Sequence, residues 1–171
     1  MTENPGVDLT ATLHSSDGTG VIHLKGRYET DVDDLWSALT DPQRLARWYG
    51  NVEGDLRVGG EFTAFVNGSE WDGRGRVDEC EPPRRFRVSK WEDEGAVEVV
   101  TAELVSHGDH TMLEVEVRGL AVDKLWAYGA GWQALAEDLA AHLGGQSCAD
   151  WGARWEELAP SYREMTVEPL A

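Results

Sequence analysis

Acid–base catalysis in a protein interior needs polar side chains on the inward side of their elements, lining a pocket that water leaves. By position, the residues that could meet that demand here are Tyr28, Glu70, Trp71, Glu103 and Tyr128. Glu103 is the strongest candidate among them for a catalytic carboxylate. It sits in VEVVTAELV (97–105), where valines fall on both sides of any strand and leave the register open. Facing outward it is an ordinary surface acid; facing inward, desolvation would raise its pKa into the range useful for general-acid work. The lysines Lys25, Lys90 and Lys124 form no recognisable catalytic set with it.

Other chemistries find no support. The chain holds no GxSxG and no HExxH pattern. His107 and His110 flank a turn, and Cys80 and Cys148 match no zinc or redox spacing, so no metal site is expected. The run LRVGG from Leu56 to Gly60 lacks the GxxxxGK[ST] pattern and leads into a strand, so it is no phosphate loop. No cofactor is expected.

The formal charge of -17 comes from 32 acidic and 15 basic residues. A surface so negative repels phosphate backbones and anionic lipid, and Arg84, Arg85 and Arg87 are too few to reverse that. Neither nucleic acid nor membrane is an expected partner. No run of eighteen apolar residues occurs, and the first twenty residues have no basic and apolar signal pattern, which makes a cytoplasmic location the default expectation. A length of 171 residues fits one domain with a sizeable core, and eight tryptophans are many for it.

The elements that must position the candidates follow from periodicity. Residues 1–19 are polar and punctuated by glycine and proline, so a flexible leader is expected. A strand follows over 21–28. Thr30 or Asp31 can cap a helix in DVDDLWSAL, and Thr40 or Asp41 can cap a second one that has Pro42 at its first position. Six strand-like runs follow, over 51–56, 61–66, 70–78, 85–91, 96–105 and 111–118, separated by turn residues and a break at Pro82 and Pro83. Short loops make them an antiparallel meander, seven strands with the first.

A long helix is expected over 126–143, with Trp132, Leu135, Leu139 and Leu143 on an apolar face and Gln133, Glu137, Asp138 and His142 on the other. Gly129 and Gly131 weaken its first turns by about 1 kcal/mol each. They mark either a poorly formed start or a place where close backbone approach, a bend or a lined cavity needs them. Beyond Gly145, Trp151, Trp155 and Leu158 recur at helical spacing, which predicts a short amphipathic helix within a tail over 146–171. That helix needs a cover: its own domain, or a second copy in a swapped dimer.

LWSALTDP (35–42), LARWYG (45–50), DLRVGGEF (55–62), VDECEPPRRFRVSKW (77–91) and GWQALAEDLAAHL (131–143) together resemble the START-like (SRPBCC) superfamily. The resemblance is strongest to the branch named after the C-terminal domain of the heat-shock-protein ATPase activator. It implies an α+β helix-grip domain over 20–145, in which a curved seven-stranded antiparallel sheet wraps around a long C-terminal helix. A helix about 10 Å across cannot fill such a sheet, so the space between them is either packed with aromatic side chains or left as a cavity, and an elongated apolar pocket is the expectation carried forward. Its expected walls are Tyr28, Trp48, Tyr49, Trp71, Glu103, Tyr128 and Trp132.

The reading that needs least is binding of a small hydrophobic ligand, by a monomer or homodimer. A polyketide cyclase- or dehydratase-like enzyme is the first alternative, and a co-chaperone-like interaction module the second.

Overall fold

A computed structural model describes residues 7–92 and 97–170. Strands β1 (Val7–Ser16) and β2 (Thr19–Tyr28) open the chain and pair antiparallel along their full length. Asp17 and Gly18 join them with φ of 51° and 83°. Two successive left-handed residues make a tight hairpin turn, and Asp-Gly is a favoured pair for it. The expected leader is thus a strand from Val7 onward, with Val7 and Leu13 buried and Leu9 and Ala11 half-buried along one face.

Helices α1 (Val32–Thr40) and α2 (Pro42–Trp48) form as the capping residues predict. The Asp31 carboxylate accepts the Asp34 N–H at 2.8 Å, and that of Asp41 accepts the Gln43 N–H at 3.0 Å. Each cap satisfies an amide that its first turn leaves unpaired. Leu35, Ala38, Leu45 and Trp48 face inward.

The meander then runs through β3 (Gly50–Gly54), β4 (Glu61–Val66), β5 (Asp72–Glu81), β6 (Arg85–Trp91), β7 (Glu98–Ser106) and β8 (Thr111–Leu120). Part of the turn expected at 92–95, and Ala96 at the start of the next strand, lie outside the described residues. After a 3-10 turn at Val122–Lys124 come α3 (Leu125–Leu143), α4 (Trp151–Glu164) and the short β9 (Val167–Pro169).

The sheet order is β3-β4-β5-β6-β7-β8-β2-β1-β9. All pairs are antiparallel except β1 with β9. The sheet is curved and open, and α3 packs against it, which is the helix-grip arrangement. It has nine described strands rather than seven, because both segments expected to flank the domain add a strand to its β2 side. Among the described residues no helix is long and apolar enough to cross a membrane.

Helix α4 and the segment leading into it pack on the side of α3 that the sequence assigns to solvent, so Glu137 and Asp138 are only 6% and 7% exposed. Arg154 clasps the Glu137 carboxylate at 2.6 and 2.9 Å. Tyr162 donates to Gln133 Oε1 at 2.6 Å, and Trp155 Nε1 donates to the Ala127 carbonyl at 3.0 Å. Two glycines let the helices approach. A Cβ on Gly129 would lie 2.7 Å from the Tyr162 ring, and one on Gly131 would lie 3.1 Å from Trp151. The glycines serve close approach, and the tail docks on its own domain.

Candidate functional site

Between the sheet and the helices lies a cavity of about 350 Å³. Trp36 and Leu39 of α1, Leu45 and Trp48 of α2, and Trp132 of α3 form one side. Phe62, Val77, Phe86, Val88, Val100, Ala102 and Val115, on the inward positions of β4 to β8, form the other. Each is inward because the strands alternate: in β4, Phe62, Ala64 and Val66 are buried while Glu61, Thr63 and Phe65 are not. Trp48 is fixed by its indole N–H, which donates to the Ala38 carbonyl at 3.0 Å.

Among the described residues lining the cavity, Lys90 alone carries a formal charge. Its side chain is 8% exposed. The ammonium lies 4.7 Å from the centre of the Trp71 ring, 5.3 Å from Trp132 and 5.9 Å from Tyr49, within the range of cation–π attraction. The Tyr49 hydroxyl is 3.3 Å away, and the nearest Glu98 oxygen 3.8 Å away. Burial disfavours the charge, but the Tyr49 oxygen and the Glu98 carboxylate outweigh that loss and hold the pKa above the ordinary lysine value. The cavity therefore ends in a cationic hydrogen-bond donor that keeps its proton. Lys90 forms no catalytic set with Glu103, as the sequence suggests, but its spacing carries a signal of its own. In RFRVSKW, Lys90 shares the parity of Phe86 and Val88, the inward positions of β6.

The residues named from sequence are placed unequally. Trp48, Tyr49 and Trp132 line the cavity, and Trp71 stands against it through Lys90. Tyr28 lines a smaller void of about 60 Å³ that shares Trp48, Tyr49 and Trp132 as walls. Its hydroxyl donates to the Ala136 carbonyl at 2.9 Å, and burial, then the nearby Glu137 charge, push its pKa far up, so it stays a phenol.

Two expected wall residues lie elsewhere. Tyr128 is 41% exposed, on the part of α3 turned from the sheet. Glu103 alternates with the buried Val100, Ala102 and Leu104 and so faces outward, where Arg85 binds it. Glu70 sits exposed in a turn.

Glu103 belongs instead to a groove of about 700 Å³ on the outer face of the sheet. That groove is larger but more polar, and most of its polar side chains are already engaged: His23 meets Glu116 at 2.9 Å, Lys25 pairs with Glu114 at 3.4 Å, Arg85 with Glu103, and Arg87 with Glu79 beside the groove. Among the described residues no three His, Cys, Asp or Glu side chains are grouped to hold a metal ion.

Residues 29–144 match the family described as Activator of Hsp90 ATPase homolog 1-like protein. The chain belongs to that family. The match runs from just before α1 to just after α3, so every residue lining the main cavity falls within the family's region. All of β1, β2, α4 and β9 lie outside it.

Among solved structures, CalU16 from Micromonospora echinospora is 29% identical with a TM-score of 0.70, the match covering 92% of this chain and 99% of CalU16. DynU16, a protein in the dynemicin biosynthetic locus, is 26% identical with a TM-score of 0.68, over 76% of this chain and 50% of DynU16. The HSP90 activator PFC0360w from Plasmodium falciparum is 23% identical with a TM-score of 0.61, over 72% and 96% of the two chains, a likeness of fold alone. No curated protein matches the sequence.

Proposed function

We propose that this protein takes an apolar organic molecule, of the size of a few fused rings, into its cavity and works in small-molecule biosynthesis in a cyclase- or dehydratase-like role. The observation that carries the reading is a cavity of about 350 Å³ with aromatic and aliphatic walls and a single buried cation at one end. Ligand sites of this kind are mostly apolar, with a few polar groups that orient the guest. Ring closure and dehydration of a polyketide-type chain both pass through enolate-like oxygen, and a fixed ammonium beside a phenol stabilises charge developing there. DynU16, from a biosynthetic locus, supports the same setting. Among the described residues, the groove on the sheet's outer face is more polar and crossed by ion pairs, and fits an apolar guest less well.

The test is titration with N-phenyl-1-naphthylamine, a neutral apolar fluorophore. Saturable one-to-one enhancement is expected, and Ala102→Phe, which fills the cavity from the sheet side, should weaken it by about tenfold or more through overpacking. Absence of saturation up to the solubility limit of the probe would overturn the reading.

A further inference from the structure

The charged end of the cavity has an arrangement that selects among apolar ligands. An ammonium offers three N–H donors. Lys90 uses one toward the Tyr49 hydroxyl at 3.3 Å. The Glu98 oxygen, at 3.8 Å, balances its charge but lies beyond hydrogen-bond length. Trp71, Trp132 and Tyr49 present ring faces, which attract the cation without accepting an ordinary hydrogen bond. Donor capacity is thus left over at a site already neutral as a pair.

We propose that Lys90 makes this end of the cavity a receptor for a neutral carbonyl oxygen, as in an aromatic ketone, aldehyde or quinone, and that it discriminates against carboxylates. The proposal rests on the reading of the cavity as an apolar-ligand site and names what the ligand must carry.

Charge decides between the two oxygen types. A carbonyl gains a charge-assisted hydrogen bond and adds no net charge. A carboxylate would bring a second anion beside Glu98 to share one cation, after losing its own water in a site walled by tryptophan and valine. A desolvated charge without a partner of its own is strongly disfavoured. The proton held by Lys90 also means that its nitrogen lone pair is occupied, so recognition is by hydrogen bonding and no covalent adduct is invoked.

Three naphthalenes of similar size test this: 2-acetonaphthone, 2-ethylnaphthalene and 2-naphthoate, each displacing N-phenyl-1-naphthylamine. The protein compared with wild type is Lys90→Met/Glu98→Gln, which removes both charges together and leaves no buried anion; Lys90→Met alone serves as a second variant. The ratio of ketone to alkyl affinity should be about tenfold or more higher in wild type than in the double variant, the value of a hydrogen bond to a charged donor. Naphthoate should be the weakest of the three in wild type.

An equal ketone-to-alkyl ratio in wild type and double variant would overturn the proposal while fluorophore binding left the apolar-ligand reading standing. Naphthoate binding more tightly than the ketone would overturn it in favour of an acid receptor. Failure of the fluorophore to bind wild type would remove both readings at once.

Discussion

Arg154→Met takes one partner from a bidentate ion pair and leaves the other in place. Glu137 and Arg154 have side chains 7% and 13% exposed and meet at 2.6 and 2.9 Å. The methionine keeps most of the aliphatic stem, so packing of α4 on α3 changes little; the contact with the exposed Glu157 at 3.2 Å is lost as well, and being solvent-screened it adds little to the effect. Breaking a buried pair from one side costs about 3–5 kcal/mol, because the remaining charge is uncompensated. Glu137 keeps one hydrogen bond, from Gln133 Nε2 at 3.1 Å, which lowers the expectation to roughly 2–3 kcal/mol.

For a chain of this length that is a fall in Tm of about 4–12 °C. Glu137→Gln/Arg154→Met removes the orphaned charge and should recover most of the loss. Thermal unfolding followed by circular dichroism on wild type, both single variants and the double gives the coupling directly. An Arg154→Met variant no less stable than the double would refute the argument, since it would mean that Glu137 without Arg154 still reaches water.

Two further tests address α3 and its cover. Burial first, then the neighbouring Glu137 charge, raise the Asp138 pKa to about 6, against the N–H donated by Ala149. A carboxyl with its folded pKa above the unfolded one contributes stability below about pH 4 that is lost as pH rises through about 6. Asp138→Asn should therefore raise Tm above about pH 6.5 and leave it unchanged near pH 4; a gain of equal size at both would sink the linkage. Gly129→Ala gains about 1 kcal/mol of helix propensity but places a methyl group 2.7 Å from the Tyr162 ring. Net destabilisation on denaturant unfolding is expected, and a stabilised variant would mean that the glycine is not there for close approach.

The sequence made the scaffold readable where local chemistry decides. Asp31, Asp41 and Pro42 mark two helix starts, and Leu113, Val115 and Val117 alternating with Glu114, Glu116 and Arg118 mark a strand with one face inward. Strand β1 was legible too, through Leu9, Ala11 and Leu13 before Asp17-Gly18, but its polar alternate residues gave it the composition of a leader. Glu103 could not be placed because Val99 and Val105 lie on its own face, so both sides of β7 look apolar.

The surroundings of Lys90 are a different matter. Its parity on β6 was visible, but Tyr49, Trp71, Trp132 and Glu98 come to it from four separate places in the chain. Only the completed fold brings them together. The same holds for Glu137 and Asp138, which periodicity assigns to solvent until a later helix covers them.

The sheet is nine strands wide, and its two outermost members are its shortest: β3 has five residues and β9 has three. Unpaired strand margins are where one molecule's backbone can dock on another's and start a growing ladder. At the β9 side the margin is further blunted by Pro169, which has no N–H to offer a newcomer. The long central strands, which would make good templates, are paired on both sides. β9 covers only Leu13–Ser15 of β1, so among the described residues Val7–Thr12 keep an edge with no strand partner. At that rim it is the negative charge of the molecule that works against edge-to-edge association in concentrated solution.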